Sequence, residues 1–157
     1  FIMYSKEEKK ELKVGFWTEL NDKLTEAGKA KGRNLEWMNY PTNIKRLFFR
    51  MEADETSAKI CIDLQFVSKG IREIYYLQFQ ELENKLKEVF TSDVHYNADY
   101  EHWNGKVISR IYCELNDVNV NNKEDWEKIH GFLVENFLIK LLVCGMNLQV
   151  ISPYLIA

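Results

Sequence analysis

The fold is decided by residues 35–67, LEWMNYPTNIKRLFFRMEADETSAKICIDLQFV, in which apolar and polar side chains alternate with period two along most of the length. Turn residues interrupt this alternation twice, at residues 41–43 and at residues 53–56. We therefore predict three strands, at residues 35–40, 45–52 and 57–67. Connections this short join antiparallel neighbours, so the three strands are expected to form a meander.

The third predicted strand indicates that the sheet has one apolar face. One set of alternating positions is apolar and consists of Ala58, Ile60, Ile62, Leu64 and Phe66. The other set is more polar and consists of Lys59, Cys61, Asp63 and Gln65. A strand that is apolar on one side only is typical of an antiparallel sheet with one face on the core and the other in solvent.

One helix is predicted before these strands and another after them. Ser5 and Glu8 have the spacing of a capping box, so the first helix is expected to begin there and to end near Gly28. Its apolar stripe is Leu12, Phe16, Leu20 and Leu24. The second helix follows Gly70 and is expected to run unbroken for about five turns. Its stripe is Ile71, Tyr75, Phe79, Leu82 and Leu86.

The rest of the chain adds a hairpin and a third helix. Residues 94–103 and 106–115 flank Asn104-Gly105, a dipeptide that tolerates the positive φ of a tight turn. Asn121 or Asn122 caps the next helix. Its apolar stripe is Trp126, Ile129, Leu133 and Phe137.

These elements predict a single α+β domain over residues 1–157. It has two layers, with the helices on one face of a five-stranded antiparallel sheet and the element order αβββαββα. The apolar segment 138–157 is atypical: it is too short and too interrupted by polar residues to span a bilayer. We expect it to be buried against the domain or against a partner.

The composition is that of a globular domain with an ordinary core, because 46% of the 157 residues are hydrophobic and 13% are aromatic. Lys+Arg 21 against Asp+Glu 24 gives a net charge of −3, so strong nonspecific attraction to nucleic acid is not expected. Cys61, Cys113 and Cys144 are odd in number and far apart, which predicts reduced thiols in a cytoplasmic protein. The charged N-terminal segment does not have the pattern of a signal peptide.

Several segments of the chain together resemble a known bacterial family. They are MYSKEE at residues 3–8, FW at 16–17, WMNYPTNIKRLFFRMEAD at 37–54, GKVISRIYCEL at 105–115 and NKEDW at 122–126. Over residues 3 to about 137 the chain is similar to the family catalogued as domain of unknown function 4268. The resemblance implies no assigned activity or catalytic residues. Relatives occur alone or C-terminal to a part that looks like a PD-(D/E)XK nuclease, which implies a link to nucleic-acid processing or defence.

One hypothesis for catalysis is an atypical or degenerate metal-dependent nuclease. Glu52 and Asp54 end one predicted strand, and Asp63 and Gln65 lie on the next. Two carboxylates at such positions can hold a divalent ion that activates water. In the nuclease pattern a lysine stands where this chain has Gln65. Acidic side chains that point outward are also typical of any solvent-exposed face of a sheet. We favour this structural interpretation over a nuclease site.

The alternative is recognition through the polar side of the sheet. Five side chains there combine stacking surfaces with positive charge: Phe48, Arg50, Lys59, Arg110 and Tyr112. Aromatic and basic residues in alternation are typical of single-stranded nucleic-acid platforms, but Glu52, Asp63 and Glu114 border them and would repel phosphate. Phe48 and Ile108 on this side, together with the apolar tail, also suggest a homodimer or a partner protein; the alternative is that one of the helices covers them.

The remaining reactive side chains favour no enzyme class. His95, His102 and His130 form no metal-binding pair at helical spacing, and glycine-rich phosphate loops and nucleophile elbows are absent from the sequence. We therefore predict a non-catalytic binding or protein-interaction module that needs no cofactor or metal and does not enter a membrane. Nucleic acid is the less supported partner.

Overall fold

The computed structural model describes residues 3–30 and 44–136 of the chain. Its elements in chain order are α1 (Lys6–Ala30), β1 (Leu47–Ala53), β2 (Ser57–Leu64), α2 (Lys69–Glu81), α3 (Glu83–Val89), β3 (Val94–Glu101), β4 (Val107–Asn116) and α4 (Lys123–Asn136). This part of the chain is an α+β fold, as predicted. The predicted strand at residues 35–40, the tail 138–157 and Cys144 lie outside the described residues.

The four described strands form one antiparallel sheet in the order β1-β2-β4-β3. Two hairpins, β1–β2 and β3–β4, lie side by side, and β2 and β4 are the central strands. The prediction of five strands in the order αβββαββα is wrong for the described residues, which contain four strands in the order αββααββα. The pairing of β2 with β4 joins distant parts of the sequence, so no local turn pattern indicates it.

The helix predicted after Gly70 is two helices, because α2 ends and α3 begins at Leu82. The amide of Leu82 lies 3.2 Å from the carbonyl oxygens of both Gln78 and Phe79, which tightens the backbone at this point. Phe79 before the break and Leu86 after it are both fully buried. The apolar period therefore continues across the break, which explains why periodicity predicts one long helix.

A single core joins the helices to one face of the sheet. The strands contribute Leu47, Ala58, Ile60, Ile62, Leu64, Ile111 and Cys113. The helices contribute Phe16, Leu20, Leu24, Tyr75, Phe79, Leu86, Trp126, Ile129, Phe132 and Leu133. Most of these residues belong to the stripes expected from the sequence, but Phe132 does not. The predicted stripe residues Leu12, Phe66, Ile71 and Leu82 are only partly buried, and Phe137 lies outside the described residues. Cys61 and Cys113 are free and buried, as predicted for these two cysteines.

Two local predictions are confirmed by hydrogen bonds. The amide of Glu8 donates to Ser5 Oγ at 3.1 Å, so Ser5 caps α1. Between β3 and β4, the amide of His102 donates to the carbonyl of Lys106 at 2.8 Å. Gly105 has φ +80°, the left-handed conformation that glycine adopts without steric cost. The Asn104-Gly105 dipeptide therefore makes the predicted hairpin.

His130 joins α4 to α1. Its Nε2 donates to the carbonyl oxygen of Phe16 at 3.1 Å, and its Nδ1 accepts from Lys23 Nζ at 2.9 Å. An ammonium group has only donors, so this arrangement requires a neutral ring with its proton on Nε2. Burial, followed by the charge of Lys23, lowers the pKa of His130. His130 therefore has a packing role between the two helices.

Candidate binding surface on the sheet

The side of the sheet opposite the core, called the outer face below, holds all five predicted binding residues. The strand register and the alternation of side chains place on it Phe48, Arg50, Glu52, Lys59, Cys61, Asp63, His95, Asn97, Ile108, Arg110, Tyr112 and Glu114. Lys59, Arg110 and Tyr112 come from the two central strands, and Phe48 and Arg50 come from β1. The sequence alternation therefore places these five residues on the same side of the sheet as the strand register does.

A buried arginine organises the outer face. The side chain of Arg110 is 0% exposed and is paired with two carboxylates. Its Nε and Nη2 donate to the two oxygens of Asp63 at 2.8 and 3.0 Å. Its Nη1 and Nη2 donate to the two oxygens of Glu52, both at 3.0 Å. Four of the five guanidinium N–H groups are thereby used in charge-assisted, bidentate bonds.

Asp63 lies at the centre of this arrangement and is also 0% exposed. Burial raises the pKa of Asp63, while the hydrogen bonds and the charge of Arg110 act in the opposite direction. Arg50 approaches from the solvent side, with its Nε 3.7 Å from Asp63 Oδ2. The negative charge of Asp63 is therefore balanced from two sides.

Burial acts on the other groups of this cluster as well. It lowers the pKa of Arg110 by itself, but the hydrogen bonds to Asp63 and Glu52 outweigh it and raise that pKa. The guanidinium consequently remains charged. The thiol of Cys61, cross-strand from Arg50, is also buried, and burial raises its pKa well above the usual value. Cys61 is therefore a protonated thiol and a poor nucleophile.

A β-bulge in β3 brings Tyr100 to the same cluster. Asn97 pairs with Arg110 and Tyr100 pairs with Ile108, so two residues of β3 face a single residue of β4. In a regular strand, residues three positions apart point to opposite faces. The bulge places both Asn97 and Tyr100 on the outer face, and the Tyr100 ring lies over the guanidinium of Arg110 with 4.2 Å from Cζ to the ring centroid.

Polar contacts from the core side hold the bulge in place. Ser109 Oγ donates to the carbonyl oxygen of Ala98 at 2.7 Å. Arg72, which is buried, donates from Nη1 to the carbonyl oxygen of Val107 at 3.1 Å and lies 3.5 Å from Asp99. The position of Tyr100 over Arg110 is thus fixed by both faces of the sheet.

Around this buried cluster the outer face has an aromatic and basic rim. Phe48 is 36% exposed and has the guanidinium of Arg50 5.2 Å from its ring centroid. Tyr112 is stacked on His95 with 5.1 Å between ring centroids, and Lys59 Nζ lies 5.7 Å from its ring centroid. These contacts pre-order flat side chains at the surface.

The model of the family described as "Domain of unknown function (DUF4268)" matches residues 12–141. The chain belongs to this family. The match begins in α1 and runs past the end of α4, so it includes every described strand and the whole outer face. No curated protein and no solved structure matches the chain.

In this DUF4268 domain, the residues of the nuclease hypothesis are only partly together. Glu52 and Asp63 converge, but on the guanidinium of Arg110 rather than on an open space. Asp54 lies in the β1–β2 turn, where its Oδ1 accepts from the amides of Thr56 and Ser57 at 2.8 and 2.9 Å. Burial is the largest single influence and raises the pKa of Asp54, but the hydrogen bonds from Thr56 and Ser57 together outweigh it, so that pKa is lowered. Asp54 therefore stabilises the turn.

Gln65 lies beyond the end of β2, and its backbone amide donates to the carbonyl oxygen of Arg46 at 2.8 Å. Its Nε2 is buried without a hydrogen-bond partner among residues 3–30 and 44–136. Across the same ranges, no group of three or more His, Cys, Asp or Glu side chains is placed to hold a metal ion. No helix within these ranges is long and apolar enough to cross a membrane.

Three further members of the outer face were not predicted: His95, Asn97 and Tyr100. His95 and Asn97 follow the regular alternation of β3, whereas Tyr100 reaches this face only because the bulge shifts the alternation after Asn97. No residue in this strand signals a bulge from sequence alone. Arg110 was predicted as one of the cations of a binding surface, whereas its side chain is buried and donates four of its five N–H groups to Glu52 and Asp63.

Proposed function

We propose that this DUF4268 domain is a non-catalytic binding module whose outer face contacts a partner protein. The observation that carries the proposal is the buried Arg110, which holds Glu52 and Asp63 in four charge-assisted hydrogen bonds. A divalent ion between these carboxylates would have to displace a buried cation. This arrangement supports the binding module over the nuclease, because a nuclease needs open carboxylates.

The charge balance of the outer face supports a protein partner over nucleic acid. Each cation on this face is within ion-pair distance of an acid: Arg110 of Glu52 and Asp63, Arg50 of Asp63, and Lys59 of Glu114. The face therefore has no excess of positive charge. Binding to a phosphate backbone depends on such an excess, whereas protein interfaces use aromatic and arginine side chains in a balanced setting.

The rim supplies the side chains that protein interfaces favour. The rings of Phe48 and Tyr112 offer flat apolar area. The guanidinium of Arg50 lies beside Phe48 and does not need to be fully desolvated in an interface. Because Arg110 and Tyr100 fix the strand surface beneath them, little conformational entropy is lost on binding. We further propose, from the family resemblance, that the partner takes part in nucleic-acid processing or defence.

The first test addresses catalysis. Single- and double-stranded DNA and RNA are incubated with the protein and Mg²⁺ or Mn²⁺, beside the Asp63→Asn variant. We expect no cleavage by either protein above a mock preparation. Metal-dependent cleavage by the parent that is lost in Asp63→Asn would overturn the proposal.

The second test addresses the surface. A photocrosslinking amino acid replaces Phe48 in cells that express the native protein, and a matched variant carries it at Leu77, an exposed position on α2. We expect a discrete protein adduct from position 48 and none from position 77. An adduct of twice the chain mass identifies the partner as a second copy. Adducts at both positions, or at neither, would contradict the proposed surface.

A further inference from the structure

A second surface lies at one end of the sheet and is called the hairpin end below. It consists of residues 44–46 before β1, residues 65–69 between β2 and the first turn of α2, and residues 102–106 between β3 and β4. The start of β1, the end of β2 and the start of β4 pair with one another, so these segments leave the sheet at the same end. Neighbouring strands lie about 4.8 Å apart, so the three segments are adjacent.

The segment between β3 and β4 presents an aromatic side chain to solvent. Trp103 is 87% exposed. The amide of Gly105 donates to the carbonyl oxygen of His102 at 2.9 Å, which closes a turn with Trp103 as its second residue. The amide of Lys106 donates to Asn104 Oδ1 at 3.0 Å and fixes the turn further. Turns favour proline, glycine and small polar residues, so the backbone does not require an indole here. The structure therefore holds this ring in solvent on an ordered backbone.

Four cations surround this tryptophan. Lys45 and Arg46 precede β1, Lys69 begins α2, and Lys106 follows the turn. Lys69 Nζ lies 3.9 Å from Glu73 Oε1. Within residues 3–30 and 44–136, the other three cations have no carboxylate within 4.0 Å. The three segments of the hairpin end therefore contain cations that the described protein does not neutralise.

Acidic residues are found only at the border of this surface. The three segments contain no Asp or Glu, and the nearest acids along the chain are Glu73 in α2 and Glu101 at the end of β3. Cations still outnumber these acids by two. On the outer face, in contrast, each cation has an acidic partner. The hairpin end thus has the excess of positive charge that the outer face lacks, although the whole chain has a net charge of −3.

The N-terminus of α2 adds positive potential at the same place. Ser68 caps this helix, since its Oγ accepts from the amide of Ile71 at 3.3 Å. The first turn of α2 contains no acidic residue. Amides at the start of a helix carry partial positive charge and favour a nearby phosphate. This contribution reinforces the cations and does not depend on long side chains.

We propose that the hairpin end binds single-stranded nucleic acid, with an unpaired base stacked on Trp103. The phosphates next to that base lie against Lys45, Arg46 and Lys106. Proteins that bind single strands combine aromatic stacking surfaces with cations that follow the backbone. An unpaired base can reach the indole, whereas the bases of a duplex are already stacked on one another. This site is separate from the outer face and adds a second kind of ligand to the proposed function.

An anionic membrane is the competing partner, because Val67 is also exposed at this end. Cations attract lipid headgroups as well as nucleic-acid phosphates. However, the two residues that follow Trp103 at the tip of the turn are Asn104 and Gly105. Insertion of the indole into lipid would bury the polar groups of this tip, at a cost that stacking on a base avoids. The geometry therefore favours the nucleic acid.

The proposal is tested by fluorescence anisotropy, with the full chain titrated into labelled short oligothymidylate and oligouridylate at several salt concentrations. The three unpaired cations predict that log K falls with log salt with a slope of about −2. Trp103→Leu is expected to weaken binding by about tenfold or more. Trp103→Phe keeps a ring for stacking and is expected to lose less affinity. Tighter binding of one oligonucleotide supports the proposal and identifies the ligand as DNA or RNA.

The cations are tested one at a time. Arg46→Gln and Lys106→Gln are each expected to make the salt slope shallower by about 0.7. The matched control is Lys85→Gln, an exposed lysine on α3, which is expected to change neither affinity nor slope.

Several results would overturn the proposal. They are no binding at low salt, equal loss of affinity in Trp103→Leu and Trp103→Phe, or a salt slope unchanged by the two cation variants. Binding of a duplex as tightly as a single strand, or of anionic phospholipid vesicles in preference to both oligonucleotides, would also overturn it. None of these outcomes bears on the outer face.

Discussion

Replacing Arg110 with methionine is expected to destabilise the domain strongly. The substitution leaves Asp63, which is 0% exposed, with a buried charge and without its two bidentate hydrogen bonds. Breaking a buried ion pair from one side costs about 3–5 kcal/mol. Glu52 adds little to this loss, because its side chain is 40% exposed and can return to water.

The free energy of unfolding is measured by urea denaturation at pH 7, with Lys59→Met as the matched control. Lys59 makes an ion pair with Glu114 at 3.5 Å on the same face, but both side chains are partly exposed. The control is expected to lose no more than about 1 kcal/mol. Adding Asp63→Asn to Arg110→Met removes the buried charge and is expected to recover more than half of the loss.

Acid should also relieve the Arg110→Met variant. Burial already raises the pKa of Asp63 in the parent. In the variant Arg110 no longer opposes this effect, so the pKa of Asp63 rises further. A carboxyl whose folded pKa exceeds its unfolded pKa destabilises the protein above the folded pKa, and the penalty disappears as pH falls through it. The deficit relative to the parent is therefore expected to be smaller at pH 5 than at pH 7. A loss below about 1 kcal/mol at pH 7, or no recovery with Asp63→Asn, would refute the reasoning.

Three further predictions concern the helices and the hairpin. The parent should lose stability as pH falls below about 6.5. The pKa of His130 is lowered in the folded protein, so the unfolded chain binds a proton at this histidine first. His130→Gln should flatten this pH dependence in urea midpoints measured from pH 7 to pH 5. Gly105→Ala should destabilise by about 1–2 kcal/mol, since its φ of +80° is unfavourable for a side chain although nothing lies within 4 Å. Gly131→Ala should stabilise the domain by about 1 kcal/mol. This exposed position in α4 has open space around it and no positive φ, and alanine favours a helix more than glycine does. Thermal melts check both glycine variants, and the same sign for the two would contradict the argument.

Local features of the fold were predictable from sequence where one residue type decides the conformation. The cap at Ser5 and the turn at Gly105 depend on short-range hydrogen bonds and on glycine. Alternation correctly assigns Ile60 and Ile62 to the core face of β2, but the opposite face was expected to be solvated, and Cys61 and Asp63 on it are buried as well. These features need no knowledge of distant parts of the chain.

The features that the sequence did not predict are those that depend on long-range pairing. Glu52, Asp63 and Arg110 were each recognised as charged residues of the polar face, but their mutual neutralisation requires the register of three strands. The placement of Tyr100 over Arg110 requires a bulge that the pattern of β3 does not indicate.

The bulge in β3 has a consequence for self-association. β3 is the terminal strand of the described sheet, and a straight terminal strand offers a row of free amides and carbonyls on which another chain can assemble. The bulge between Asn97 and Tyr100 interrupts that row, and the acidic Asp99 and Glu101 add repulsion between identical copies. Growth of fibrils by strand addition is thereby discouraged at this margin, so copies of the chain are expected to meet through side chains rather than through a continuous intermolecular sheet.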